Sequence, residues 1–184
     1  MGSVPCDLDA RRASRKEKSL RQGWSPMRIE TEEFGSIAVA PEMRIYLPEG
    51  LHGFEEHQHF VLLDREEYHP FFWLVSEVDP RVRFAVTDAD RFCAASEKIT
   101  LSPSDEAALD LAQGDAISLF VIVSLRPGEQ RATGNLRAPI VMNARNRLAR
   151  QVIVYGNGLA VRRPMMSRRL VSLHSAVGAG PARD

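Results

Sequence analysis

The sequence predicts a mainly β protein: a single small antiparallel β-barrel or roll-like domain with one short helix and disordered extensions at both ends. Three observations carry that expectation. Short runs of β-branched and aromatic residues recur through the middle of the chain, closely spaced and punctuated by Gly, Pro, Asn and Asp, the pattern of a small barrel or sandwich. Start and stop signals for a helix coincide in one stretch alone, between Ser102 and Gly114. And 184 residues with 44% hydrophobic content suffice for one domain with a real core, leaving no room for a second full domain.

Residues 1–26 are polar and basic, with no apolar periodicity from which to build a core, and are expected to be a disordered or loosely helical extension. The ordered domain is expected over 27–164, followed by a flexible tail over 165–184. At its start Met27, Ile29 and Thr31 alternate with charged residues, the chain turns at Phe34-Gly35, and Ile37 and Val39 resume the alternation, which predicts a first hairpin. A short strand at Ile45 to Leu47 leads into a loop broken by Pro48, Gly50 and Gly53, where glycine permits backbone angles that other residues resist. Leu51 and Phe54 sit between those glycines. His59 to Asp64 is the next strand, followed by the acidic link Arg65-Glu66-Glu67-Tyr68-His69.

Residues 70–87 form the central hairpin, two strand-forming arms separated by a turn at Asp79-Pro80. In the second arm Val82, Phe84 and Val86 alternate with Arg81, Arg83 and Ala85, which predicts one buried and one mostly wet face. In the first, Phe71, Trp73 and Val75 point one way and Phe72, Leu74 and Ser76 the other. Both faces are apolar, so this strand lies inside, and its second face needs a cover supplied by other strands or by a partner. Phe72, Leu74, Phe84 and Val86 read as core; Phe71 and Trp73 stay open between core and interface, since Trp is enriched at interfaces.

Beyond the hairpin, a mixed loop from Asp88 ends in a short strand at Lys98 to Leu101. Ser102 or Ser104 can cap the helix, Asp105 and Glu106 favour its positive end, and Gly114 stops it. Residues 116–125 then read as a strand apolar on both faces, Pro127-Gly128 as a turn, and the stretches A-P-I-V-M-N and R-L-A-R-Q-V-I-V-Y as the last strands. Asn135 and Asn143, bracketing the first of these, read as turn residues whose side chains satisfy loop backbone groups.

The formal net charge of zero hides a pattern: residues 1–26 carry +3, 27–106 carry −10, 107–163 carry +5 and 164–184 carry +2. An acidic front half repels nucleic acid and attracts a basic partner. Cys6 and Cys93 are far apart and form neither a disulfide framework nor a metal-ligand spacing, which fits a reducing cytoplasm. No window approaches the roughly 18 continuous apolar residues of a membrane span, and the N-terminus lacks a signal-peptide core.

Several stretches together resemble the FliW family of flagellar assembly factors: M-R-I-E-T-E-E-F-G, the loop L-P-E-G-L-H-G-F-E, the strand F-V-L-L, the hairpin P-F-F-W-L-V-S-E-V-D-P-R-V-R-F-A-V-T-D, the strand F-V-I-V-S-L, and N-L-R-A-P-I-V-M-N with R-Q-V-I. They occur in family order from Met27 to about Pro164. His52 stands where a proline is common, and the two terminal extensions have no counterpart in the family pattern. The resemblance implies a small β-barrel protein that is not an enzyme, binds cytoplasmic flagellin, and sequesters the RNA-binding translational repressor CsrA, coupling flagellin export to translation of flagellin messenger RNA.

No cofactor and no metal are expected. His57-Gln58-His59 would place two imidazoles on one strand face, but no further ligand follows in register. Pro48-Glu49-Gly50-Leu51 lacks the Lys and the helix of a P-loop. A nucleic-acid-binding barrel is the alternative, yet the aromatics lie in the acidic segment and the basic residues elsewhere. Candidate partner-binding residues are therefore Glu55, Glu56, Glu66 and Glu67 for the basic partner, and Leu51, Phe54 and Trp73 for apolar flagellin helices.

Because residues 1–26 lack core-forming content, a chain beginning at Met27 is expected to keep the cooperative melt of the full chain. A denaturant titration showing a loss above about 2 kcal/mol, beyond ordinary surface effects, would instead place Trp24 or its neighbours against the barrel.

Overall fold

The computed structural model describes residues 27–89, 100–124, 132–154 and 163–164. The basic extension with Trp24, the loop around Cys93, the turn at Pro127-Gly128 and the C-terminal tail lie outside the described residues. The strands are β1 (Met27–Thr31), β2 (Gly35–Val39), β3 (Arg44–Tyr46), β4 (His59–Leu63), β5 (Phe72–Ser76) and β6 (Arg83–Asp88). After the helix α1 (Pro103–Ala108) come β7 (Ile117–Ser124), β8 (Thr133–Gly134), β9 (Ile140–Asn143), β10 (Ala149–Gln151) and β11 (Arg163–Pro164). The main sheet runs in the order β10-β9-β7-β6-β5-β4-β3, every neighbour antiparallel, with β8 pairing both β7 and β11.

The sheet curls until its two ends nearly meet. Tyr46, the last residue of β3, and Leu148 before β10 form a parallel bridge, the Tyr46 N–H donates to the Arg147 carbonyl at 3.1 Å, and Arg147 Nε donates to the Arg44 carbonyl at 2.7 Å. Arg147 takes φ 59, a left-handed conformation uncommon outside glycine, and so turns both its carbonyl and its side chain towards β3. Burial lowers its pKa from the ordinary guanidinium value, against the opposing pull of Glu42. The result is a nearly closed antiparallel barrel, in which closure removes most of the exposed sheet edge.

Period-two alternation gives the curled sheet two apolar faces. The inner one gathers Ile45, Phe60, Leu74, Val86, Phe120, Ile140, Met142 and Ala149, with Phe72 and Phe84 packed against them. The outer one gathers Val61, Leu63, Phe71, Trp73, Val75 and Ala85. Its cover is the β1–β2 hairpin, a separate two-stranded sheet in which Ile29 pairs with Ile37 and Met27 with Val39, all turned onto the barrel. Leu136 and Ala132 extend that cover. The second face of β5 is thus covered from within the chain. For the same reason β6 departs from the expectation of a wet face: Ala85 is 5% exposed, and Arg83, its side chain 12% exposed, reaches Glu33 at the hairpin tip at 2.7 Å.

Helix α1 begins as expected and ends early. Ser102 Oγ accepts the Asp105 N–H and the Asp105 carboxylate accepts the Ser102 N–H, both at 3.2 Å, a reciprocal capping box. The helix stops at Ala108, because Leu109 is drawn into a small apolar cluster with Val141 and Val152 and Asp110 turns to φ 49. Gly114, at φ 90, closes the turn that follows. Thr100 and Leu101 are irregular, so the expected strand ending at Leu101 does not form over its described part.

Asn143 ties this end of the barrel together. It is 0% exposed, and its Nδ2 donates to the Leu109 and Asp110 carbonyls at 3.2 Å and to the Asp115 carboxylate at 3.1 Å. Its Oδ1 accepts the Arg145 N–H at 2.9 Å, while Asn135 Oδ1 accepts the Arg137 N–H at 3.2 Å, so both asparagines satisfy loop backbone groups. Asn143→Ala strips the Arg145 N–H of its acceptor, leaves the Leu109 carbonyl only the longer 3.4 Å contact from Asn146 Nδ2 and the Asp110 carbonyl only Arg145 Nη2, and is expected to cost about 2 kcal/mol. Asn143→Asp sets a carboxylate against those same oxygens and should cost more; a denaturant titration of the two variants at neutral pH checks the order.

Candidate partner-binding surface

The loop from Leu47 to Gln58 crosses one end of the barrel. Its ends are pinned by the Leu47 N–H, which donates to the Gln58 carbonyl at 2.8 Å, and by Gln58 Nε2, which donates to the Pro48 carbonyl at 2.8 Å. Between them the chain doubles back so tightly that a Cβ at Gly50 (φ 66) would lie 2.6 Å from both Glu55 Cα and the Phe54 carbonyl oxygen. Only glycine fits there. His52 anchors the outer turn through its N–H and its ring, both on Gln151 Oε1 at 3.0 and 2.8 Å, and Glu49 pairs with Arg150 at 3.1 Å.

This folding distributes the loop's side chains unequally. Leu51 is 1% exposed and belongs to the inner core. Phe54 is half-buried and closes the barrel end, edge-on to Phe84 with ring centroids 5.0 Å apart. Glu55 and Glu56 stand in solvent. The Gly53 N–H donates to the Glu55 carboxylate at 2.8 Å and with a second backbone hydrogen bond holds its pKa below the usual value. Beside them the β5–β6 turn projects Val78, 71% exposed, with Asp79 bound to Arg81 at 2.8 Å; that guanidinium lowers the Asp79 carboxyl.

Glu66 and Glu67 lie at the other end of β4, exposed on a 3-10 turn over Glu66–Tyr68, with Glu67 3.8 Å from Arg65. The strand between the two glutamate pairs has five residues, about 17 Å of extended chain. That exceeds the Debye length of about 8 Å at physiological salt, so the acidic segment presents two patches.

Trp73 is in neither. It is 2% exposed, with Phe34 and Tyr68 against its ring at centroid distances of 5.6 and 6.1 Å, and its indole N–H finds no acceptor among the described residues. Trp73 and Leu51 are therefore supports beneath the surface, and Phe54 is the member of that apolar trio with area to offer. Exposed groups that the sequence did not single out include Val78, whose signal is an apolar residue wedged between Glu77 and Asp79-Pro80 in a turn, and Tyr46, 41% exposed, stacked on His59 at 4.8 Å. The histidines do not converge. His57 is buried against Ser76 at 2.8 Å while His59 faces out, and among the described residues no group of His, Cys, Asp or Glu is arranged to hold a metal. An open pocket of about 230 Å³ between the β1–β2 tip and the β5–β6 turn is lined by Glu30, Glu32, Glu33, Asp79, Arg81 and Arg83, among others. No described helix is long and apolar enough to cross a membrane.

Comparison with known proteins matches this architecture. A family model described as FliW protein covers residues 28–165. The flagellar assembly factor FliW of Bdellovibrio bacteriovorus is 37% identical over 142 residues, spanning 77% of this chain and 81% of that protein. That of Geobacter sulfurreducens is 32% identical over 142 residues, spanning 77% and 88%. A crystal structure of the flagellar assembly factor FliW superposes with a TM-score of 0.67 at 28% identity, over 75% of this chain and 96% of that one. A nearly closed barrel, an outer hairpin over its aromatic strand and a glycine-folded loop across one end, together with the family match over residues 28–165 and these identities, place this protein in the FliW family of flagellar assembly factors.

Proposed function

We propose that this chain acts in the cytoplasm by binding flagellin and, when flagellin has been exported, by sequestering the basic RNA-binding repressor CsrA, so that translation of flagellin messenger RNA follows export. Family membership supports the flagellar role, and the resemblance supplies the two partners. The observation that carries the reading towards a basic partner is the distribution of charge on the described surface. Arg44, Arg81, Arg83, Arg145 and Arg150 each pair with a carboxylate, while Glu55, Glu56 and Glu66 extend into solvent and Glu67 does so beside Arg65, 3.8 Å away. Such a surface steers a cationic protein and repels a phosphate backbone, which disfavours the nucleic-acid alternative. Apolar helices of flagellin find contact area at Phe54 and the neighbouring Val78. No catalytic step is part of this reading.

Linkage makes any coupling between the two partners reciprocal, so flagellin and CsrA are each expected to weaken the other's binding by the same factor. Association rates test the assignment of surfaces. Glu66→Lys with Glu67→Lys should slow CsrA association about tenfold at low salt and flatten its salt dependence, with little change in melting temperature because exposed charges contribute little to stability. Phe54→Ala should weaken flagellin binding by about 1–2 kcal/mol. CsrA association unchanged at low salt by the charge reversal would make those glutamates a solvated face only.

A further inference from the structure

The Leu47–Gln58 loop is locked to the β5–β6 turn through one buried histidine. His57 is 7% exposed and Ser76 0%. Ser76 Oγ already accepts the N–H groups of Val78 and Asp79, at 3.2 and 3.3 Å. Its single proton therefore goes to His57 Nδ1, 2.8 Å away, and the network assigns the ring its neutral tautomer with the hydrogen on Nε2. That hydrogen faces Glu56 Oε1 at 3.5 Å. The ring backbone is held as well, the His57 N–H donating to the Phe54 carbonyl at 3.0 Å. One imidazole thus sets Phe54, Glu56 and Val78 in fixed relation.

We infer that His57 is a positioning residue for the partner-facing end of the barrel, and that its lock on Ser76 holds only while the imidazole is neutral. Protonation puts a second N–H on the ring, aimed at a hydroxyl that already accepts two, and leaves the hydroxyl hydrogen without an acceptor in a buried site, a costly arrangement. The carboxylates around the ring do not rescue it. Glu56, on the same loop, is 72% exposed and screened by water. Asp79, on the facing turn, is bound to Arg81 at 2.8 Å. Glu77, between Ser76 and Val78, is bound to Arg44 at 2.6 Å. Acid therefore works against the lock, because the opened, solvated ring takes up a proton that the locked ring cannot accommodate. This rests on the partner-binding reading only for its consequence, a partner surface that loosens with acid; the lock itself is a property of the free protein.

Amide hydrogen exchange on the free full-length chain tests it, read at Phe54, His57, Val78 and Asp79 at pH 7.5 and 5.5 after correction for intrinsic rates. Protection at these amides should fall about tenfold at the lower pH. His57→Asn keeps an acceptor near the Nδ1 position without a titrating group and should hold protection at both pH values. Ser76→Ala removes the hydroxyl and should give low protection at both. Wild-type protection that does not change with pH, or His57→Asn losing protection with acid as the wild type does, overturns the inference. Partner binding plays no part in the measurement, so failure here is separate from failure of the proposed function.

Discussion

The constraint from which the rest of the structure follows is that β5 is apolar on both sides. A strand that presents Trp73 and Val75 one way and Phe72 and Leu74 the other cannot lie on a half-wet sheet, and burial of each such side chain contributes about 1.5–3 kcal/mol. The chain answers with two devices. Curling the sheet from β3 to β10 encloses the inner side chains, and folding β1–β2 back over the barrel covers the outer ones. The second device uses no strand pairing with the main sheet, so the hairpin is held by side chains alone: its apolar face, and Glu33 against Arg83. The Glu33 Oε2 atom lies 2.7 Å from that guanidinium yet lacks the alignment of a hydrogen bond, so the contact is coulombic. Mostly buried pairs of this kind matter chiefly when broken, since the remaining charge is then uncompensated.

With both faces of the central strands consumed, the surface left for the proposed partners lies at the ends and edges of the barrel. The Leu47–Gln58 loop is built for that position. Gly50 lets it fold flat, Leu51 roots it in the inner core, and Phe54 stoppers the barrel mouth. The glutamates that follow then point outward because Phe54 and His57 on either side have used the inward directions. The opposite end is organised by Asn143, which substitutes for the missing backbone pairing where α1 stops and the β9–β10 turn begins. One end is a satisfied polar knot, and the other is a plug with an acidic rim.

Charge along the chain and charge in space are different quantities. The acidic segment 27–106 contains both glutamate pairs, but β4 runs between them and holds them at opposite ends of a strand. Meanwhile six arginines of the described residues are drawn back onto carboxylates, several of them distant in sequence, as with Arg44 and Glu77 or Arg150 and Glu49. What a partner meets is the remainder after that internal pairing.

The sequence by itself determined the local elements: the alternation of β1, β2 and β6, the two-sided apolarity of β5 and β7, a helix capped at Ser102 or Ser104, and the glycine-broken loop. These depend on interactions within a few residues, which composition and spacing record. It also contained enough of the family pattern to indicate the architecture. Only the tertiary structure decided what lies on each face. Trp73 and Leu51 carry the same apolar signal whether a partner or the chain itself covers them, because a pattern of apolar residues says which of them share a face and nothing about what packs there. The end of α1 shows the same limit: Gly114 was the visible stop, but the burial of Leu109 and the reach of Asn143 from a strand more than thirty residues away ended the helix at Ala108. In the sequence His57 and His59 share a strand face with no further ligand in register; folding turns His57 inward to Ser76, a partner that no spacing rule connects to it.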